Sequence, residues 1–263
     1  KEALIMDYLG WKPPMYKHWG RINFEGFTLS TTQTRHAIEQ KQYTGWDDLR
    51  LPFLPALRRR GYQPQAFRKF AMEIGLSLAD KTVSQEEFWK MINAFNREVV
   101  EPNANRYFFV SNPVEITIKG APKKEARLDL HPDYPKRGKR TLLAEGKVFI
   151  SQQDLKKLGK GKVHRLMDYC NFTLEGKGWK FVSEDYEEYK NNPNKGFIIH
   201  WLPVSKDLPK VEVMLDTGEK ALGVGEKGLG QLKEGEIIQL ERMYFAKLDR
   251  KENGKLVFCY LHP

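Results

Sequence analysis

The spacing of apolar residues changes once along this chain, near residue 106, and that change limits the folds open to it. Before it, apolar side chains recur at helical intervals; after it, they come in short runs separated by turn residues. Residues 1–9 read as a short helix ended by Gly10. Pro52 and Gly61 bracket a second helix that finishes in Arg58-Arg59-Arg60; cations in a last turn suit the helix dipole. Pro64 opens a third helix and Gly75 closes it. Ser84-Gln85-Glu86-Glu87 is a capping box. Behind it Phe88, Met91, Ile92, Phe95 and Val99 line one buried face. Beyond the change, residues 106–110, 114–119, 147–150, 163–167, 171–175, 179–182, 197–203, 211–215, 236–242 and 256–260 read as short strands. Ser111-Asn112-Pro113, Gly176-Lys177-Gly178, Asn191-Asn192-Pro193-Asn194 and Glu252-Asn253-Gly254 separate them. Such a series predicts one or two antiparallel barrels or sandwiches.

The chain has 263 residues, enough for one large domain or two modest ones. With 15 Phe, 11 Tyr and 6 Trp it carries the material for real cores, which excludes wholesale disorder. Apolar runs such as Phe197-Ile198-Ile199 fall far short of the roughly 20 residues that span a bilayer. Two cysteines, Cys170 and Cys259, make neither a disulfide framework nor a four-cysteine zinc cluster, so an intracellular protein is expected. The chain opens on Lys1 and runs straight into helical sequence, which reads as a piece of something longer. Its formal charge is +10, unevenly placed: residues 111–170 hold 14 Lys and Arg against 7 Asp and Glu. Two readings of that excess stand, a solvated lysine-rich surface and an attraction for a polyanion. No long amphipathic basic helix occurs there, which argues against a membrane surface.

Catalytic motifs are scarce. There is no GxSxG, HExxH or Walker A loop. The glycines of Gly223-Val224-Gly225 and Gly228-Leu229-Gly230 read as a hairpin or loop, and His164 and His200 as core or hydrogen-bonded residues. Asp47-Asp48 fits an N-cap before the helix opened by Pro52, and the acidic run 184–189 a solvated face. No metal site is expected. The better signals are basic and amide side chains beside aromatics: Arg106 before Tyr107-Phe108-Phe109, Arg165 beside His164, and Gln239 and Arg242 before Tyr244-Phe245. Fork-like donors read base edges, and aromatics stack on splayed bases.

Four strings in the first hundred residues carry a resemblance: 16–22 (YKHWGRI), 29–35 (LSTTQTR), 45–52 (GWDDLRLP) and 57–62 (LRRRGY). With Asn105-Arg106-Tyr107-Phe108-Phe109-Val110, Ile199-His200-Trp201-Leu202-Pro203 and Gln239-Leu240-Glu241-Arg242, the chain closely resembles archaeal-type glutamyl-tRNA synthetases over essentially its whole length. The glutaminyl enzymes share this half and are the main alternative; a stand-alone RNA-binding module is another. The resemblance implies an α+β, multidomain chain. Residues 1–105 would be the C-terminal part of the catalytic domain, with an ATP loop and a mainly helical stem-contact region. Residues 106–263 would form two antiparallel anticodon-binding β-barrels, the distal one at roughly 140–200. It implies a glutamate–tRNA ligase as the parent, using ATP with Mg. This portion would lack the nucleotide-fold half, bind no cofactor alone and be inactive by itself. It further implies tRNA for glutamate, or for glutamine as well, as partner, no membrane, a monomer and a cytoplasmic location. The ATP loop falls on Ser30, Thr31, Thr32, Gln33 and Arg35. Family members usually carry a charge-stabilising Lys where Gln33 stands here. Arg106, Gln239 and Arg242 would read the middle anticodon base and Arg165 the first. Arg58, Arg59, Arg60, Arg137 and Arg140 would touch the RNA backbone.

Overall fold

The computed structural model describes all 263 residues. In chain order, α1 (Glu2–Tyr8), β1 (Ile22–Glu25), α2 (Thr31–Glu39), α3 (Leu54–Arg60), α4 (Pro64–Ile74), β2 (Lys81–Ser84) and α5 (Gln85–Val100) come first. The strands β3 (Arg106–Tyr107), β4 (Phe109–Ser111), β5 (Pro113–Lys119), β6 (Lys124–Asp129), β7 (Lys139–Ala144) and β8 (Lys147–Ser151) follow, then α6 (Gln152–Lys157). Next are β9 (Val163–Leu166), β10 (Asn171–Glu175), β11 (Gly178–Ser183), α7 (Tyr186–Asn191), β12 (Lys195–Ile199) and β13 (Leu202–Pro203). The last are β14 (Lys210–Met214), β15 (Lys220–Gly225), β16 (Ile237–Leu240), β17 (Tyr244–Glu252) and β18 (Lys255–His262). The class is α+β, as the change in apolar spacing implies.

Local chemistry sets the helix ends. Gly61 closes α3 at φ 114°, a left-handed conformation that a Cβ disfavours, and Ser84 Oγ accepts the Glu87 N–H at 3.1 Å to open α5. The buried face of α5 is Phe88, Ile92, Asn96 and Val100, a strict i, i+4 row that includes an asparagine the apolar stripe passes over. Asp48 caps no helix; Phe53 stands at the N-cap of α3 without a side-chain bond. Instead Asp48 clasps its own turn, accepting from Thr44 N–H at 2.9 Å and from Arg50 Nε at 2.8 Å. The Arg50 guanidinium holds its carboxyl well below the usual carboxylate range.

Two compact units result: residues 1–28 with 64–95, and residues 29–63 with 96–263. They divide the chain differently from the boundary expected at 105, because 29–63 clusters with the strand-rich unit. In the first unit β1 and β2 pair in parallel, and Phe24, Phe27, Phe70 and Phe88 pack mostly edge to face.

The second unit holds two seven-stranded sheets, ordered β3-β16-β17-β18-β14-β15-β4 and β12-β9-β10-β11-β5-β8-β13. Each has edge strands that are consecutive in the chain. Only Phe108 separates β3 from β4, and only His200-Trp201 separates β12 from β13. A sheet whose edges are joined by so short a corner must roll until they meet, so each sheet is barrel-like. The barrels are not purely antiparallel as the strand series predicted: β3–β16, β14–β18, β5–β11 and β9–β12 run parallel. Such pairings join strands distant in sequence, where no turn signal marks them. The second barrel is inserted into the first. It begins at Pro113 rather than near 140 and ends at Pro203. Beside it β6 and β7 form a separate hairpin.

One extended segment, running from β3 through Phe108 into β4, serves both cores. Tyr107 and Phe109 pack with Val211, Ile238 and Phe258 of the host barrel. Phe108 and Val110 pack with Ile116, Val148, Phe172 and Trp201 of the inserted one. The alternation of side chains along an extended chain sends successive residues to opposite sides, and here both sides are core. The glycines of Gly223-Val224-Gly225 lie in β15, a strand of the β14–β15 hairpin, and those of Gly228-Leu229-Gly230 in a 3₁₀ turn. A Cβ on Gly223 would stand 2.0 Å from the Val110 carbonyl oxygen, so the close approach of β15 to β4 requires glycine.

Candidate nucleic-acid interface

Strand β3 lies beside β16 in parallel register, Arg106 opposite Gln239 and Tyr107 opposite Leu240. Tyr107 and Leu240 are buried, whereas Arg106 and Gln239 share the outer face and keep partial solvent contact. The Gln239 N–H donates to Asn105 O at 2.9 Å and the Arg106 N–H to Leu130 O at 2.7 Å, which fixes both backbones. The Arg106 guanidinium is weakly partnered. Its NH2 stands 3.7 Å from Glu101 and its buried Nε has no acceptor. A charged donor held without an acceptor on a surface strand calls for an explanation, and an external acceptor supplies one.

Three residues beyond Gln239, Arg242 occupies the turn between β16 and β17 with φ 66°, a left-handed conformation costly for a side chain with a Cβ. It is exposed. Partial desolvation lowers its guanidinium from the usual value, against the opposing pull of Asp154 and Glu241. The Tyr189 hydroxyl is raised by burial, with Tyr186 adding to the rise and Arg165 and Arg242 opposing it. His200 lies in the corner between β12 and β13. Its Nε2–H donates to Phe109 O at 2.8 Å, its Nδ1 is buried without a partner, and burial lowers its pKa.

The structure sorts the remaining basic residues. Arg165 is buried rather than presented: NH1 donates to Asn171 Oδ1 at 2.8 Å and to Glu184 O at 3.2 Å, and the exposed Tyr186 ring lies 5.4 Å from its guanidinium. Within the triplet only Arg58 is exposed. Arg59 is held by Asp249 at 2.9 Å and Asp47 at 3.2 Å. The expectation of a backbone contact does not survive for Arg60, which is 3% exposed and donates to Asp216, Tyr260 O and Leu261 O. Arg140 also departs from expectation. It is buried over the Phe108 ring and paired with both Glu226 and Glu241. A buried guanidinium needs such partners, so both residues brace the fold in this state. Arg137 stays partly exposed but donates to Pro102 O and to Asn105 Oδ1.

Glu226 has no signal in the sequence. It extends the pairing of β15 with β4 into the Phe108 corner, its Oε1 accepting the Phe108 N–H at 2.6 Å and its own N–H donating to Phe108 O at 3.2 Å. Burial pushes its carboxyl up to about 7, against the pull of Arg140. The stretch expected as an ATP loop forms the start of a helix. Ser30 caps α2, its Oγ accepting the Gln33 N–H at 3.3 Å; Thr31, Thr32 and Gln33 form the first turn, and Gln33 and Arg35 are exposed. Glu101, His131 and Asp133 lie close enough to suggest a metal. However, His131 Nδ1 accepts the Asp133 N–H at 3.2 Å, so Nε2 carries the proton given to Glu101 O at 3.0 Å. That tautomer leaves no lone pair free for an ion.

Residues 104–194 match the anti-codon binding domain of tRNA synthetases class I (E and Q), and residues 1–102 match the catalytic domain of the same enzymes. The chain belongs to the class I E and Q tRNA synthetases. Among its relatives, the glutamate–tRNA ligase of Pyrococcus furiosus is 41% identical over 271 residues, and that of Methanocaldococcus jannaschii 38% identical over 266. The ligase of Methanobrevibacter smithii is 38% identical over 264 residues. Each comparison covers all of this chain and 46% of the relative, so the chain spans under half the length of the curated relatives it matches.

Proposed function

We propose that this chain is the tRNA- and anticodon-binding portion of a glutamate–tRNA ligase. The complete enzyme activates glutamate with ATP and Mg and passes it to the terminal ribose of the glutamate tRNA. The observation that carries the reading is the outward pairing of Arg106 with Gln239, with Arg242 in the turn that follows. All three side chains are long and donor-rich, as the reading of an unstacked base requires. The seam between the two family matches, at 102–104, supports a functional division near residue 105 into a catalytic-domain portion and an anticodon-binding portion. In this reading Ser30, Thr31, Thr32, Gln33 and Arg35 face the ATP phosphates, Arg58 and Arg137 the RNA backbone, and Arg165 acts at the first anticodon base through its Tyr186–Glu184 surroundings. We assign the complete enzyme to the cytoplasm as a monomer. No helix is long and apolar enough to cross a membrane.

The test is binding of a glutamate tRNA transcript and of transcripts changed at the middle anticodon base. Arg242→Ala is expected to lose about 1–3 kcal/mol of discrimination between them. Equal loss for every transcript would make Arg242 a phosphate contact and remove the base-reading role.

A further inference from the structure

The loop between β6 and β7 carries an aromatic residue that the assignments above do not use. Tyr134 is 44% exposed. The Arg137 guanidinium lies 4.7 Å from its ring centroid, and His131 meets it edge-on at 4.8 Å. This ring is not a mobile surface side chain. The Tyr134 N–H donates to His131 O at 3.2 Å and the Arg137 N–H to Tyr134 O at 3.0 Å, closing the loop on itself. His131 is buried and bonded to Glu101 O, and Arg137 reaches Pro102 O and Asn105 Oδ1. The loop is thereby tied to the segment that carries Arg106. Glu101 is the partner of Arg106, and Asn105 O accepts the N–H of Gln239. A half-exposed ring backed by a guanidinium is carried on a loop bonded to the segment that holds two outward-facing donors.

An exposed aromatic costs free energy in water unless something covers it, and nucleic-acid bases cover such rings by stacking. Lys136 and Arg137 flank the ring in sequence, with Lys139 paired to Asp129 and with Asp133 and Glu101 nearby. The chain's other half-exposed tyrosine against an arginine, Tyr186 on Arg165, sits among Glu184, Asp185, Glu187 and Glu188, which repel phosphate. We propose that Tyr134, held by Arg137, is a stacking platform for an unpaired base of the bound RNA, next to the base read by Arg106 and Gln239. This rests on the anticodon-binding reading and adds a residue to it. Because stacking engages a π-face, the platform contributes affinity with little base preference and no phosphate contact.

The experiment uses the whole 263-residue chain and a fluorescent glutamate tRNA anticodon stem-loop, with 2-aminopurine placed at each loop position in turn. Tyr134→Leu should weaken binding roughly tenfold, with the salt dependence unchanged and the quenching of one 2-aminopurine position lost. Tyr134→Phe should bind like the wild type, which also shows that the loop is intact. If Tyr134→Leu binds as tightly as the wild type while Arg242→Ala loses discrimination, the platform is overturned and the anticodon reading stands. If Tyr134→Leu releases one base while Arg242→Ala weakens all transcripts equally, the platform stands and the base-reading role of Arg242 falls. A chain that binds no stem-loop overturns both.

Discussion

His262 shows how a single side chain can tie stability to pH. It is fully buried between Tyr62 and Phe245, its Nε2 accepts from Asn96 Nδ2 at 3.0 Å, and Asn96 Oδ1 accepts the Gln63 N–H at 2.8 Å. Burial pulls its pKa to about 4 from 6.5. Between those values the unfolded chain binds the proton and the folded chain does not. The stabilisation is therefore complete above pH 6.5 and is lost as pH falls toward 4, by about 3 kcal/mol in all. Urea midpoints of the wild type and His262→Gln should converge as pH drops from 7 to 4.5; a constant gap would show that His262 does not titrate in that window. Neither His262 nor Asn96 stands out in the sequence, because a buried polar pair joins positions 166 residues apart. The burial of Arg60 and Arg140 has no local mark for a related reason. A basic residue in a strand or a last turn has the same local signature whether it faces water or an internal carboxylate, and only the fold brings Asp216 or Glu226 to it.

At the scale of elements, what is local was legible. Gly61, Gly75 and Ser84 mark helix ends because capping involves only neighbouring residues. Short strands between Gly, Pro and Asn separators were likewise readable. Their partners were not: β3 joins β16 across more than a hundred residues, and β5 pairs with both β8 and β11. The candidate site divided in the same way. Arg106, Gln239 and Arg242 were found as residue types beside aromatics, whereas Tyr134 lay in a loop whose anchoring to 101–105 appears only in three dimensions. The corner at Phe108 makes the host barrel depend on one carboxylate. Glu226→Ala removes the acceptor of the Phe108 N–H and leaves Arg140 with Glu241 alone. It should cost about 3–5 kcal/mol, measured by thermal unfolding. Glu226→Gln, which keeps an acceptor, should fall between the two; an alanine variant that melts with the wild type would show that the corner closes without it.

At the scale of the molecule, the family matches divide the chain near residue 103, whereas the second compact unit runs across that point, so sequence-family boundaries and packing need not coincide. The strand from Tyr107 to Val110 has the largest consequence. Because alternate residues of one extended segment fill two cores, neither barrel can melt and leave the other whole. Phe108→Ala should destabilise by about 3–5 kcal/mol. Amide exchange should quicken together in β17–β18 and in β9–β10; faster exchange in β9–β10 alone would show the barrels to be independent. Calorimetry should record both barrels in one shared transition. Two pieces of sheet built from distant stretches of chain would then respond to heat and mutation as a single cooperative body.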